Sequence, residues 1–186
     1  MRTLGALLNL VVWGLFCSAV EAAEPRRLLY VAEPGIRNYL EYGGHGLLVF
    51  DINHGHKFVR RIATGGLNDQ GVPDNVKGIA ASAATGRIYI TTIRTLQCLD
   101  LRTDKLLWER AYEGGCDRMA LAPDGKYLYV PSFEKEHWHV IDGQTGAVFA
   151  RITPNSKAHN TVYDPNGKAC YLAGLGSPLL TVADPT

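Results

Sequence analysis

Three polar steps stand where hydrophobic strands should begin: Lys77-Gly78, Asp117-Arg118 and His159-Asn160. Asp117, Arg118 and His159 are suited to acid–base chemistry, with His159 as base and Arg118 steadying an oxyanion. Lys77, Arg118, His159 and Asn160 are also types that bind a polar ligand. A second group lies in the stretch from Glu33 to His45, where Arg37, Tyr39, Tyr42 and His45 offer a cation, two aromatic rings and an imidazole.

Histidines raise the question of a metal. His54-Gly55-His56 and His137-Trp138-His139 have the i, i+2 spacing that puts two rings on one side of a strand. Two ligands do not make a zinc site, which needs three or four. His45, His137 and His159 would form a trio that copper or zinc accepts. His139 aligns with packed positions of neighbouring repeats and is expected inside a sheet. No cofactor is predicted. The sequence has no Gly-x-Ser-x-Gly elbow, no Gly-rich phosphate loop and no Cys-x-x-Cys pair.

The elements that must carry these residues repeat along the chain. Leu28-Leu-Tyr-Val31 leads to Val49-Phe-Asp51, and Arg87-Ile-Tyr-Ile90 leads to Cys98-Leu-Asp100. Lys126-Tyr-Leu-Tyr-Val130 leads to His139-Val-Ile-Asp142, and Lys168-Ala-Cys-Tyr-Leu172 to Thr181-Val-Ala-Asp184. The closing aspartates are 49, 42 and 42 residues apart. Short β-runs repeating at that period predict an all-β propeller of four-stranded antiparallel blades. A β-sandwich also has short strands and frequent turns, but it needs no repeating sequence.

The expected blades cover about 28–63, 75–112, 116–153 and 158–186. The third has strands over Asp117–Ala122, Tyr127–Pro131, Trp138–Ile141 and Ala147–Ile152. Its turns are Pro123-Asp124-Gly125 and Gly143-Gln-Thr-Gly146. The first blade lacks its innermost strand and the fourth its outermost, so four-bladed closure is not expected. The chain is expected to be a portion of a ring of about seven blades, within the usual range of about 4–8. Long loops gather on one face. They are the stretch 33–45 and the stretch Thr64–Asp74, and binding usually resides in such loops. Funnel mouths are polar in any propeller, so polar residues there do not by themselves prove a ligand.

Tyr30-Val31, Tyr89-Ile90, Tyr129-Val130, the turn Pro123-Asp124-Gly125-Lys126 and the segment Val140 to Gly146 resemble the YVTN-type β-propeller repeat family. The resemblance runs from about Leu28 to the end. The Thr-Asn half of the tetrapeptide is replaced by Ala32-Glu33, Thr91-Thr92, Pro131-Ser132 and Ala173-Gly174. The resemblance implies an exported bacterial seven-bladed propeller, WD40-like in build, of which this is an N-terminal portion. Related seven-bladed folds include sugar lactonases and quinoprotein-type dehydrogenase subunits.

Charge and composition narrow the partners. With 19 basic and 18 acidic residues, the net charge is +1. No basic field for nucleic acid exists. Met1-Arg2, the apolar run Leu4–Val20 and small residues at Val20 and Ala22 predict a signal peptide over 1–23. A secreted or periplasmic propeller domain over 24–186 would follow, with no membrane association after cleavage. Phe16 before Cys17 argues against lipidation. Cys98, Cys116 and Cys170 allow at most one bridge and are expected as small buried hydrophobes. The functional expectation is a module binding a small ligand or a protein through the long-loop face and axial funnel. The alternative is an enzyme or enzyme subunit, lactonase-like or quinoprotein-like, with chemistry at the funnel.

Overall fold

A computed structural model describes residues 25–33, 45–65 and 68–185. The expected signal peptide, Cys17 and the residues Arg37, Tyr39 and Tyr42 lie outside them.

The described residues form four antiparallel sheets in chain order. The first contains β1 (Leu28–Glu33), β2 (Gly46–Asp51) and β3 (Lys57–Ile62). The second contains β4 (Val76–Ser82), β5 (Arg87–Thr92), β6 (Thr95–Asp100) and β7 (Leu106–Ala111). The third contains β8 (Ala120–Leu121), β9 (Tyr127–Pro131), β10 (Trp138–Asp142) and β11 (Val148–Ile152). The fourth contains β12 (Ala158–Tyr163), β13 (Cys170–Gly174) and β14 (Thr181–Ala183). Each strand pairs with its sequence neighbour, so every sheet is a meander. Four small sheets, rather than two facing ones, make the fold blade-like and not a sandwich.

Alternation explains the packing. Side chains along a strand point to opposite faces, and both faces here are apolar. Tyr30 and Val49 of the first sheet pack toward Ile88 and Ile90 of the second. Tyr89 and Cys98 of the second pack toward Leu128 and Val130 of the third. Tyr129 and Val140 of the third pack toward Cys170 and Leu172 of the fourth. Each of the two central sheets is therefore buried on both sides. Buried polar groups reinforce the joints: Trp138 Nε1 donates to Thr161 Oγ1 at 2.9 Å, and Tyr89 Oη to the Gly143 carbonyl at 3.0 Å.

Three of the repeating aspartates, Asp51, Asp100 and Asp142, are turn caps. Asp142 Oδ1 accepts from the backbone N–H of Gln144 and Thr145 at 3.0 and 2.8 Å and from Thr145 Oγ1 at 2.8 Å. Asp100 accepts the same three bonds from Arg102 and Thr103. Asp51 accepts from Asn53 N–H and begins a single 3-10 turn, Ile52–His54. These bonds hold all three carboxyls below the ordinary carboxylate range, led by the side chains of His54, Thr103 and Thr145 respectively.

One expectation needs correction. The strand over Asp117–Ala122 is regular only at Ala120–Leu121. Arg118 leaves its own ladder to form a parallel bridge with Asn160 of the fourth sheet. Among the described residues, Cys98, Cys116 and Cys170 are free and buried. Burial pushes the Cys98 thiol up to about 11 and those of Cys116 and Cys170 up to about 12.

Candidate functional site

The register places the three polar steps at one level. Ala80, Ala120 and Val162 oppose Tyr89, Tyr129 and Tyr171 in their respective sheets. Lys77, Asp117 and His159 each lie three residues earlier. In β4 the pairing jumps from Val76 to Gly78, and in β12 from Ala158 to Asn160. Lys77 and His159 are thus the extra residues of two bulges. A bulge re-aims a side chain that regular pleating would fix to one face.

Three sheets meet at this level. His159 Nδ1 is 3.0 Å from Asp117 Oδ2, and Arg118 Nη1 is 3.7 Å from Asp117 Oδ1. Arg118 Nη1 also lies 2.7 Å from His159 Nε2 and 3.4 Å from Nδ1. Lys77 Nζ sits 5.1 Å from the centre of the Phe133 ring. The Asp117 backbone carbonyl accepts from Thr91 Oγ1 at 2.9 Å, which anchors the segment from behind. Gly78 lets the sheets approach: a Cβ there would stand 2.8 Å from Thr91 Oγ1 and 3.2 Å from Arg118 Cα.

Asp117 is the buried member, 1% exposed, while Arg118 and Asn160 face solvent and His159 is partly covered. Its oxygens are at ion-pair distance from their neighbours, yet neither receives a hydrogen bond of good alignment. Burial raises the carboxyl above its ordinary range. The charges of His159, Arg118 and Lys77 oppose that rise without cancelling it. A guanidinium only donates, so His159 Nε2 is the acceptor for Arg118. The ring proton of neutral His159 is then on Nδ1, toward Asp117. If a ligand drew Arg118 away, Nε2 would be free to accept a hydrogen bond from that ligand.

The other predicted residues lie apart from this group. His137 and His139 do point to one side, with their Nε2 atoms 3.1 Å apart and 3.2 and 3.1 Å from the Glu113 carbonyl. Arg151 Nη2 is 2.8 Å from His137 Nδ1, which makes that nitrogen the acceptor and leaves the proton on Nε2. Burial, with the nearby His139 and Arg151, also pushes the His137 ring below its usual range. A metal-binding imidazole normally donates from its second nitrogen, and this one faces a cation instead. His159 belongs to the Asp117 group, and the His45 carbonyl accepts from Arg61. Among the described residues no three His, Cys, Asp or Glu side chains are placed to hold a metal.

One feature escaped sequence reasoning. A cleft of about 710 Å³ opens between the first two sheets, lined by Arg26, Leu28, Tyr30, Arg60, Ala81, Ala83, Leu101, Arg102 and Asp104. Arg60 spans it in a two-point pair with Asp104, at 2.5 and 2.8 Å. It lies on the side of the short turns, away from Asp117. Its only sequence signal is the clustering of arginines at the start and in the Arg102-Thr-Asp104 turn.

No family model matches the chain, and no curated protein matches it. Among solved structures it is similar to Kuenenia stuttgartiensis hydrazine synthase, with a TM-score of 0.56 and 24% identity. The match covers 68% of this chain and 36% of that one. The likeness speaks for the fold.

Proposed function

We propose that this is an exported propeller of the YVTN type that binds a small anionic ligand where the innermost strands of successive blades begin. Lys77, Arg118, His159 and Asn160 contact the ligand, and Asp117 is the buried counter-charge that holds Arg118 and His159 in place. The carrying observation is the pair of bulges that takes Lys77 and His159 out of regular pleating in the sheets on either side of Asp117, with His159 3.0 Å from its carboxylate and the Lys77 charge acting on it. Two permanent cations face one carboxylate, so the group keeps a net positive charge for an incoming anion. The loop 33–45, with Arg37, Tyr39, Tyr42 and His45, belongs to the same binding face in this reading.

Calorimetric titration with citrate and with inorganic phosphate tests it. Binding of either that disappears in Arg118→Ala and in Lys77→Ala supports the site. Equal binding in wild type and both variants, or none at all, sinks it. A second reading, hydrolysis of a lactone, is favoured by one specific contact, that of His159 with Asp117. Turnover of a simple lactone that is lost in His159→Ala but kept in Lys77→Ala would select it.

A further inference from the structure

In each joint a cross-strand row that contains a tyrosine faces the next sheet. The rows are Tyr30, Val49 and Arg60 in the first sheet, Tyr89, Cys98 and Trp108 in the second, and Tyr129, Val140 and Ala150 in the third. The following sheet answers them with Ala81, Leu121 and Tyr163, which oppose Ile88, Leu128 and Cys170 in register. In the second joint Trp108 lies 6.1 Å from Tyr89, and Leu121 packs on the same cluster. In the third joint Tyr163 lies 5.6 Å from Tyr129, edge to face, with Ala150 beside them. Both joints thus give their tyrosine a second ring, within the range of about 4.5–7 Å for aromatic pairs.

The first joint departs from this at both places. Arg60 stands where the second joint has Trp108, and Ala81 stands where the third has Tyr163. Neither carries a ring. The cleft of about 710 Å³ beside Tyr30 is the space they leave, so residue types inside the joint make it.

A third departure is matched to these two. The turn between β10 and β11 contains Gly146 at φ 74°, where a Cβ would stand 2.9 Å from the Trp108 ring. The equivalent residue between β6 and β7 is Asp104, held in the same left-handed region at φ 58°. A residue with a Cβ is disfavoured there, although Asp tolerates it better than most. Its carboxylate makes the two-point pair with Arg60. That pair occupies Nε and Nη2 of the guanidinium and leaves the Nη1 edge, near the Tyr30 hydroxyl, for another acceptor. Arg26 and Arg102 also line the cleft, so three guanidinium groups stand against one carboxylate.

We propose that this cleft binds a small aromatic carboxylate. The ring of the ligand takes the place beside Tyr30 that Tyr163 takes beside Tyr129. Its carboxylate accepts from Arg60, which Asp104 holds in position, in a charge-assisted bond. Leu28 and Leu101 supply apolar wall. The volume falls within the range of about 300–1,000 Å³ usual for small-molecule sites. The site is separate from the Asp117 group and does not rest on it.

Calorimetric titration of the full chain with naphthalene-2-carboxylate tests this. Wild type is expected to bind with a Kd below about 1 mM, and an equal concentration of acetate is expected not to compete. Arg60→Gln, which keeps length and loses charge, should weaken binding at least about tenfold. Ala81→Leu, which puts there the side chain the next joint carries at Leu121, should fill the cleft and weaken binding by a similar factor. It decides the matter if Arg60→Gln fails to fold. Arg118→Ala should leave this binding unchanged, which separates the cleft from the axial group. No saturation in wild type, full competition by acetate, or binding undiminished in Ala81→Leu overturns the proposal. So does binding that is lost in Arg118→Ala, since the compound would then sit at the axial group.

Discussion

His159 Nδ1 stands 3.0 Å from Asp117 Oδ2 across the joint between the third and fourth sheets. The pair exists only because two sheets are packed together. Its carboxylate is buried without a well-aligned hydrogen bond, which is costly for a charge.

That cost has a sign. A carboxyl raised in the folded state takes up its proton more readily there than in the unfolded chain. Its unfavourable contribution is absent below the unfolded value of about 4. It grows as pH rises toward the folded value and is complete above it. Asp117→Asn is therefore expected to melt at or above wild type at pH 7 and to lose that advantage near pH 3. Melting curves across that range check it, and a variant less stable at pH 7 would contradict the account.

The turn aspartates behave in the opposite way. Their carboxyls are held low in the fold, so their support is present above about pH 4 and disappears as pH falls through the lowered folded values. Asp142→Ala should cost about 1 kcal/mol at neutral pH. The difference from wild type should shrink on acidification, as read by urea unfolding at pH 7 and pH 3.

Gly78→Ala tests the close approach. Its Cβ would meet backbone of Arg118, which cannot rotate away. A loss of about 1–3 kcal/mol is expected. Any anion binding at Arg118 and His159 should weaken with it, whereas Ala81→Ser on the same strand should leave binding unchanged.

Trp138→Phe removes the donor that Thr161 Oγ1 accepts and opens a void at the joint between the third and fourth sheets. A destabilisation of about 2–4 kcal/mol is expected. Equilibrium unfolding followed by circular dichroism measures it.

The thiols of Cys98, Cys116 and Cys170 should resist a disulfide reagent at pH 8 while the chain is folded. They are buried, and their ionisation is pushed to about 11 and 12. They should react fully in denaturant. Rapid native labelling of any of the three would show that its sheet opens.

Much of the fold was legible because it is local. Alternation marked the strands, and Asp100 and Asp142 with their following threonines marked the turns. The alignment of Lys77, Asp117 and His159 also came from the repeat alone. What the repeat could not reveal was contact between sheets. Arg118 bridging to Asn160 shortened an expected strand, and Arg151 on His137 changed the meaning of a histidine pair. Those depend on how far one sheet stands from the next, which no local pattern encodes. The cleft at Arg60 and Asp104 was missed for the same reason.

The loop after β9 touches both of its neighbours. Phe133 N–H bonds to the Gly114 carbonyl, Glu134 N–H bonds to the Ala158 carbonyl, and the Lys135 carbonyl accepts from Ala158 N–H. A chain of stacked units with nearest-neighbour contacts can ordinarily shed its end unit alone. Here, peeling off the fourth sheet must also break backbone bonds made by the third. Amide exchange should therefore report the segments around Gly114, Glu134 and Ala158 as a single opening unit, with one common protection and not three.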